Sequence, residues 1–203
     1  MARRSQPGLF IVLEGIDGTG KSTQASLLAE RLRGRGIETS VFREPTGGVW
    51  GQKIRAKARK AGSLTAAQEL DLFLRDRWDN VKTNIRPALE RGEAVVMDRY
   101  YFSTIAYQGA RGLDPKRIRR LNEAFAPPPD LVFILDLDPA KGLGRIRGRG
   151  PRDALFERED YLCKVRALFR SFRGKRFVRV DASQPVESVR DAIWARVLER
   201  LKT

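Results

Sequence analysis

Residues 15–22 read Gly15-Ile16-Asp17-Gly18-Thr19-Gly20-Lys21-Ser22 and fit the spacing G-x-x-x-x-G-K-[ST]. Each residue type in that pattern has a task. The glycines let backbone N–H groups converge on phosphate oxygens that a side chain would obstruct. A helix starting near Lys21 adds the positive end of its dipole, Lys21 supplies a charge to the β- and γ-phosphates, and the Ser22 hydroxyl is able to ligate Mg2+. With Thr23 behind it, the segment from Gly15 to Thr23 is the expected ATP-binding loop. No N-K-x-D or S-G-G-Q string is present, so GTPases and transporter-type ATPases recede.

A loop of this kind must sit between a strand and a helix, and the chain supplies both. Five short apolar runs, LFIVLE, SVFRE, AVVMD, LVFILDLD and RFVRVDA, are each followed by a turn and a stretch of helical periodicity. That alternation predicts an α/β fold of the P-loop three-layer type, a five-stranded parallel sheet flanked by helices. The uninterrupted run Leu131 to Leu135 reads as a central strand buried on both faces. Thr65 with Gln68 resembles a capping box, Asp114-Pro115 places a cap before a first-turn proline, and Gln184-Pro185 opens a last helix with Val186, Val189, Ile193, Val197 and Leu201 on one stripe. Ligands of open α/β sheets bind outside the carboxyl ends of the strands. Glu44, Asp98-Arg99, Asp136 and Asp181 all fall there. Arg145 to Arg152, RIRGRGPR, reads as a mobile loop whose arginines stand too close together to neutralise one another and so stay available for an anion.

Composition bounds the rest. A chain of 203 residues, 41% hydrophobic and 32% charged, reads as one compact domain spanning residues 1–203. No apolar run approaches the ~20 residues of a membrane span, and MARRSQPG has no signal-peptide core, which predicts a cytoplasmic protein without a membrane partner. The net charge of +15 implies an anionic ligand. Because the basic residues are spread along the whole chain, no dedicated nucleic-acid partner is expected. Cys163, the single cysteine, reads as a helix residue without chemistry.

Taken together, FIVLEGIDGTGKSTQ, REPTGG, LFLRDRW, DRYYFSTIAYQG, PPPDLVFILDLDP, the arginine-rich segment and DASQP resemble the thymidylate kinase family in order and spacing over nearly the whole chain. The resemblance implies transfer of the γ-phosphoryl group of ATP to dTMP, with Mg2+, in a homodimer. It implies that Lys21 and Arg99 serve transfer, with Arg99 holding the acceptor phosphate as a bidentate cation. A lid at about 145–156 would close Arg145, Arg147, Arg149 and Arg152 over the transferring group. The dTMP site would comprise Asp17 on the 3′-hydroxyl, Phe73 stacked on thymine, Arg77 at the base edge, Glu44 and Arg99, with Ser103, Thr104, Tyr107 and Gln108 closing it. Phe73 and Arg77 share a helix face at four-residue spacing, and Tyr107 would crowd a 2′-hydroxyl. Ser22 and Asp98 would hold the magnesium, with Asp136 the competing candidate.

The chain departs from the family pattern in places. Gly18 stands where some relatives carry an arginine, which fits the subgroup whose catalytic arginine comes from the lid. Thr46 replaces a common glycine, Val49-Trp50-Gly51 extends the acceptor-side loop, and Leu155-Phe156-Glu157 lacks an expected basic residue. A kinase for another nucleoside monophosphate or a deoxynucleoside is therefore the nearest alternative, and a basic nucleic-acid-dependent ATPase is the alternative from another class.

Overall fold

The computed structural model describes residues 8–58, 64–146 and 159–202. Each of the five apolar runs forms a strand: β1 (Phe10–Glu14), β2 (Thr39–Arg43), β3 (Ala94–Asp98), β4 (Leu131–Asp136) and β5 (Phe177–Asp181). They make one parallel sheet in the order β2-β3-β1-β4-β5. β4 is buried from Leu131 to Leu135 as expected, but β1 occupies the centre and β4 lies next to the β5 edge. An unbroken apolar run reports burial on both faces, and says nothing of a strand's rank in the order.

Alternation along the strands splits the core in two. Ile11, Leu13, Phe133 and Leu135 face α1 (Lys21–Arg33) and α9 (Val186–Leu201). Phe10, Val12, Val132 and Ile134 face the opposite layer. That layer draws on α3 (Ala66–Asn80), a π-helical turn at Val81–Ile85, α4 (Arg86–Glu90), α5 (Tyr101–Ala110), α6 (Pro115–Glu123) and α8 (Glu159–Ser171). α2 (Val49–Ala58) packs on α3, and α7 (Pro139–Ile146) packs beside α8.

The expected helix starts are present. Thr65 Oγ1 accepts from the Gln68 N–H at 3.2 Å while Gln68 Oε1 accepts from the Thr65 N–H at 3.0 Å, closing the capping box of α3. Asp114 accepts from the Lys116 N–H at 2.9 Å ahead of α6. In α9 the stripe is buried at Val189, Ile193 and Val197, whereas its ends, Val186 and Leu201, are exposed. Among the described residues no helix is long and apolar enough to cross a membrane.

The strand register decides where chemistry can occur. Leu13 and Arg43 both lie opposite Asp98, and Asp136 lies opposite Asp181. The polar residues singled out at strand ends thus emerge along one rim of the sheet, where the loop from Gly15 to Gly20 joins β1 to α1.

Candidate functional site

Lys21 is buried at the start of α1, and its Nζ donates to Ile16 O at 2.7 Å and Thr19 Oγ1 at 3.2 Å. Thr19 in turn donates to Ile16 O at 2.9 Å. Burial, followed by the nearby Arg99 cation, pushes the Lys21 ammonium down to about 8. One turn on, Ser22 Oγ donates to Asp98 Oδ2 at the end of β3, and Thr23 is exposed. The other Asp98 oxygen, Oδ1, is buried without a hydrogen-bond partner among the described residues.

Gly18 has φ +80°, and a Cβ there would lie 2.4 Å from Gly142 O on α7. A Cβ on Gly142 would meet Asp17 O at 2.7 Å. The two backbones touch, so no arginine fits at position 18 without moving α7. The same contact brings Arg145 to the loop, where its Nη1 donates to Ala182 O at 2.9 Å and Gly18 O at 3.4 Å. Arg147, Arg149, Arg152 and Leu155-Phe156-Glu157, with the rest of the expected lid beyond Ile146, lie outside the described residues.

Arg99 follows β3 with φ 72°, a left-handed conformation that an arginine rarely adopts. That turn aims its guanidinium at the phosphate loop. It pairs with the Asp17 carboxylate, donates to Ser103 Oγ at 3.0 Å and Gly15 O at 3.3 Å, and stacks 5.2 Å above the Tyr107 ring. Tyr107 Oη also donates to Asp17 Oδ2 at 3.4 Å. Burial works to raise the Asp17 pKa, but Arg99 and Lys21 outweigh it and hold the carboxyl below its ordinary value. Burial pushes the Tyr107 hydroxyl up.

Asp17 and Arg99 stand at one end of a cavity of about 790 Å³ that runs toward α3. Phe73, half-buried, lines it beside Arg77, Thr104 and Gln108. The Arg77 guanidinium is 1% exposed and donates to Glu44 at 2.8 Å, Asn122 Oδ1 at 2.5 Å and Thr104 Oγ1 at 3.1 Å, with five N–H groups to spend. Glu44 is committed to this support, since its second oxygen accepts from Asn80 at 3.0 Å. Burial raises its pKa against the pull of Arg77 and Asn80. Gln108 donates to Glu69 at 2.7 Å while its Oε1, also buried, has no partner among the described residues.

The structure also separates residues that sequence position had grouped. Both Asp136 oxygens are taken by Arg166 at 2.7 Å and Arg170 at 2.8 Å, which makes Asp136 an anchor for α8. Cys163 is exposed on that helix. Trp50 turns toward Lys53 and Arg75, whose cations stand 4.4 and 5.0 Å from its ring.

Three contributors carried little sequence signal. Arg43 lines the cavity with its Nε 3.8 Å from Asp98 Oδ2, and the strand-end rule that singled out Glu44 applies equally to its neighbour. Tyr161 of α8 donates from its hydroxyl to Tyr107 O at 2.8 Å, a pairing across 54 positions that no local pattern announces. Asp76 accepts from Thr46 N at 2.8 Å and Thr46 Oγ1 at 2.6 Å, tying the loop after Glu44 to α3.

Comparison with known proteins follows the same lines. The thymidylate kinase family model matches residues 13–193. A probable thymidylate kinase of Archaeoglobus fulgidus is 46% identical over 185 residues, covering 91% of this chain and 92% of that protein. The thymidylate kinase of Akkermansia muciniphila is 48% identical over 182 residues, 90% of this chain and 87% of its own length. That of Xanthomonas campestris is 47% identical over 184 residues, covering 90% and 79%. A family model matching residues 13–193 and relatives 46–48% identical over about nine-tenths of the chain place it plainly: this chain belongs to the thymidylate kinase family.

Proposed function

We propose that this chain transfers the γ-phosphoryl group of ATP to the 5′-phosphate of dTMP, giving dTDP and ADP for dTTP synthesis. The observation that carries the reading is the meeting of Asp17 and Arg99: a carboxylate of the donor loop and a cation of the acceptor strand end, at the mouth of one cavity. Two nucleotides brought there would face each other across that contact.

The acceptor phosphate is itself an anionic nucleophile, so no general base is required, and positioning with charge neutralisation dominates. An oxygen of the dTMP phosphate forms the new bond to the γ-phosphorus as the bond to the β–γ bridging oxygen breaks and ADP departs. Lys21 leaves its loop partners for the donor phosphates. Arg99 leaves Asp17 for the acceptor phosphate, which frees the Asp17 carboxylate to accept from the 3′-hydroxyl. Phe73 covers the thymine face. A spare N–H of Arg77 serves the O4 acceptor, and the unpartnered Gln108 Oε1 receives the N3–H donor. Tyr107, stacked on Arg99 with its hydroxyl on Asp17, is the residue that would crowd a 2′-hydroxyl. Arg145 reaches the loop from α7, and Arg147, Arg149 and Arg152 belong to the closing segment by resemblance.

Mg2+ fits the donor set. Ser22 and Asp98 already meet, and the orphaned Asp98 Oδ1 has acceptor capacity left for a metal-bound water. When bound, the ion supplies charge neutralisation of the β- and γ-oxygens. The proposal includes a cytoplasmic enzyme acting as a homodimer. What supports a partner copy within this chain is the exposed Trp78, its ring 5.1 Å from that of Phe125.

The test is incubation of the purified protein with ATP, magnesium and each nucleoside monophosphate in turn, following the diphosphate formed. dTMP is expected to give dTDP in preference to the others. Absence of dTDP together with DNA-stimulated ATP hydrolysis would replace this reading with the nucleic-acid-dependent ATPase, and preference for another monophosphate would move the acceptor.

A further inference from the structure

Glu14, the last residue of β1, is fully buried yet makes no contact with the cavity. Its carboxylate reaches across to the start of α5, a helix whose own cap residue, Tyr100, provides no side-chain bond. Glu14 Oε1 accepts from the Tyr100 N–H at 2.8 Å and the Ser103 N–H at 3.0 Å. These are the two donors that a capping box satisfies from within a helix; here one carboxylate of a neighbouring strand satisfies both. Glu14 Oε2 accepts from Ser103 Oγ at 2.5 Å. The Ser103 proton is thereby committed to Glu14, which leaves the lone pairs of Ser103 Oγ for the Arg99 Nη1–H at 3.0 Å.

We infer that Glu14 is a positioning residue for the acceptor phosphate, acting through the relay Glu14–Ser103–Arg99 and through the cap that holds Arg99 in its left-handed turn. The inference rests on the phosphoryl-transfer reading above. Physically, Glu14 is bonded directly to Gly15, whose carbonyl also accepts from Arg99. One residue therefore fixes the first peptide of the donor loop and the orientation of the acceptor cation. A carboxylate, as opposed to an amide, is needed because only acceptors can serve two N–H groups and one O–H at once.

Among the described residues, the charged and titratable groups facing Glu14 are Arg99 after β3, Lys21 on α1 and the Tyr107 hydroxyl on α5. Burial, set against the bond from Ser103 and the charge of Arg99, pushes the Glu14 carboxyl up to about 7. A raised carboxyl pKa means that the contribution of Glu14 to stability is complete below about 4.5 and is lost as pH climbs through about 7. The ionised form that orients Ser103 is thus the form that costs the fold.

Glu14→Gln mimics the protonated carboxyl, and Ser103→Ala cuts the relay while leaving both backbone bonds to Glu14. Steady-state kinetics at pH 8 should show KM for dTMP raised about tenfold in each, the loss of roughly one charged hydrogen bond, with KM for ATP within about twofold of wild type. The wild-type to Glu14→Gln ratio of kcat/KM for dTMP should shrink toward one as pH falls below about 7, a comparison in which titration of the dTMP phosphate cancels. Calorimetry should find Glu14→Gln melting no lower than wild type at pH 8. Equal losses for both substrates, an unchanged KM for dTMP, or a ratio flat with pH would overturn the inference. If Glu14→Gln melts far below wild type, Ser103→Ala decides. Wild-type dTDP formation, measured first, separates failure of this inference from failure of the phosphoryl-transfer reading.

Discussion

Arg99 shows how much one residue carries at this site. Its left-handed backbone costs on the order of 1–3 kcal/mol, an expense that the surrounding bonds to Asp17, Ser103 and Gly15 offset. Glycine would adopt the turn freely but would bring no guanidinium. Arg99→Ala is therefore expected to reduce dTDP formation by about a thousandfold or more while ATP affinity, measured by calorimetric titration, changes little. Arg99→Lys should recover only a small part, because a single ammonium cannot bridge two phosphate oxygens. Comparable loss of ATP affinity in Arg99→Ala would place the residue on the donor side. Of the residues around it, Asp17, Ser103 and Tyr107 were readable from sequence because they fall inside recognisable motifs. Glu14 also lies in such a motif, yet nothing local distinguishes a strand-end glutamate that caps a distant helix from one that faces solvent.

Elements bring these residues together, and the loop between β2 and α2 is the least conventional of them. Thr46 anchors it to α3 through both Asp76 oxygens, and its Oγ1 additionally accepts from the Gly48 N–H at 3.0 Å. Arg55 closes the loop from α2 by donating to Pro45 O at 2.9 Å and Thr46 O at 2.5 Å. Since α3 also carries Phe73 and Arg77, the loop and the base wall form one unit. Thr46→Ala removes the side-chain bond and leaves an Asp76 oxygen without it, which should destabilise the fold by about 1–3 kcal/mol. KM for dTMP should rise several-fold, with KM for ATP unchanged. A fall in melting temperature with both KM values unaltered would limit Thr46 to stability. From sequence the threonine was visible only as a departure from a glycine, because its partner lies 30 positions away.

Across the whole molecule the sheet separates two kinds of residue. The face covered by α1 and α9 holds apolar packing together with the buried Gln24, which donates to Val186 O at 2.9 Å, whereas the face covered by α3, α5 and α8 shares its side chains with the cavity. Ile193 of α9 is 1% exposed in the first layer. Ile193→Ala should cost about 2–5 kcal/mol in chemical denaturation and leave both KM values near wild type. Tyr107, by contrast, packs 6.3 Å from Phe169 while its hydroxyl touches Asp17, so stability and acceptor binding are joined on that side. A change in KM for dTMP in Ile193→Ala at a temperature where the protein is fully folded would mean that the two layers are coupled.

The five strands, the caps of α3 and α6, the phosphate loop and the polar strand ends were legible in the amino-acid order. Those features depend on residues within a few positions of one another, where period, capping chemistry and glycine placement act directly. The tertiary structure alone decided that β1 is central, that Asp136 anchors α8 through Arg166 and Arg170, and that Gly18 is required by contact with Gly142. It also decided that a buried carboxylate on β1 orients the arginine after β3. Each of these joins groups remote in sequence, and their pairing depends on strand order and register, which local periodicity does not encode.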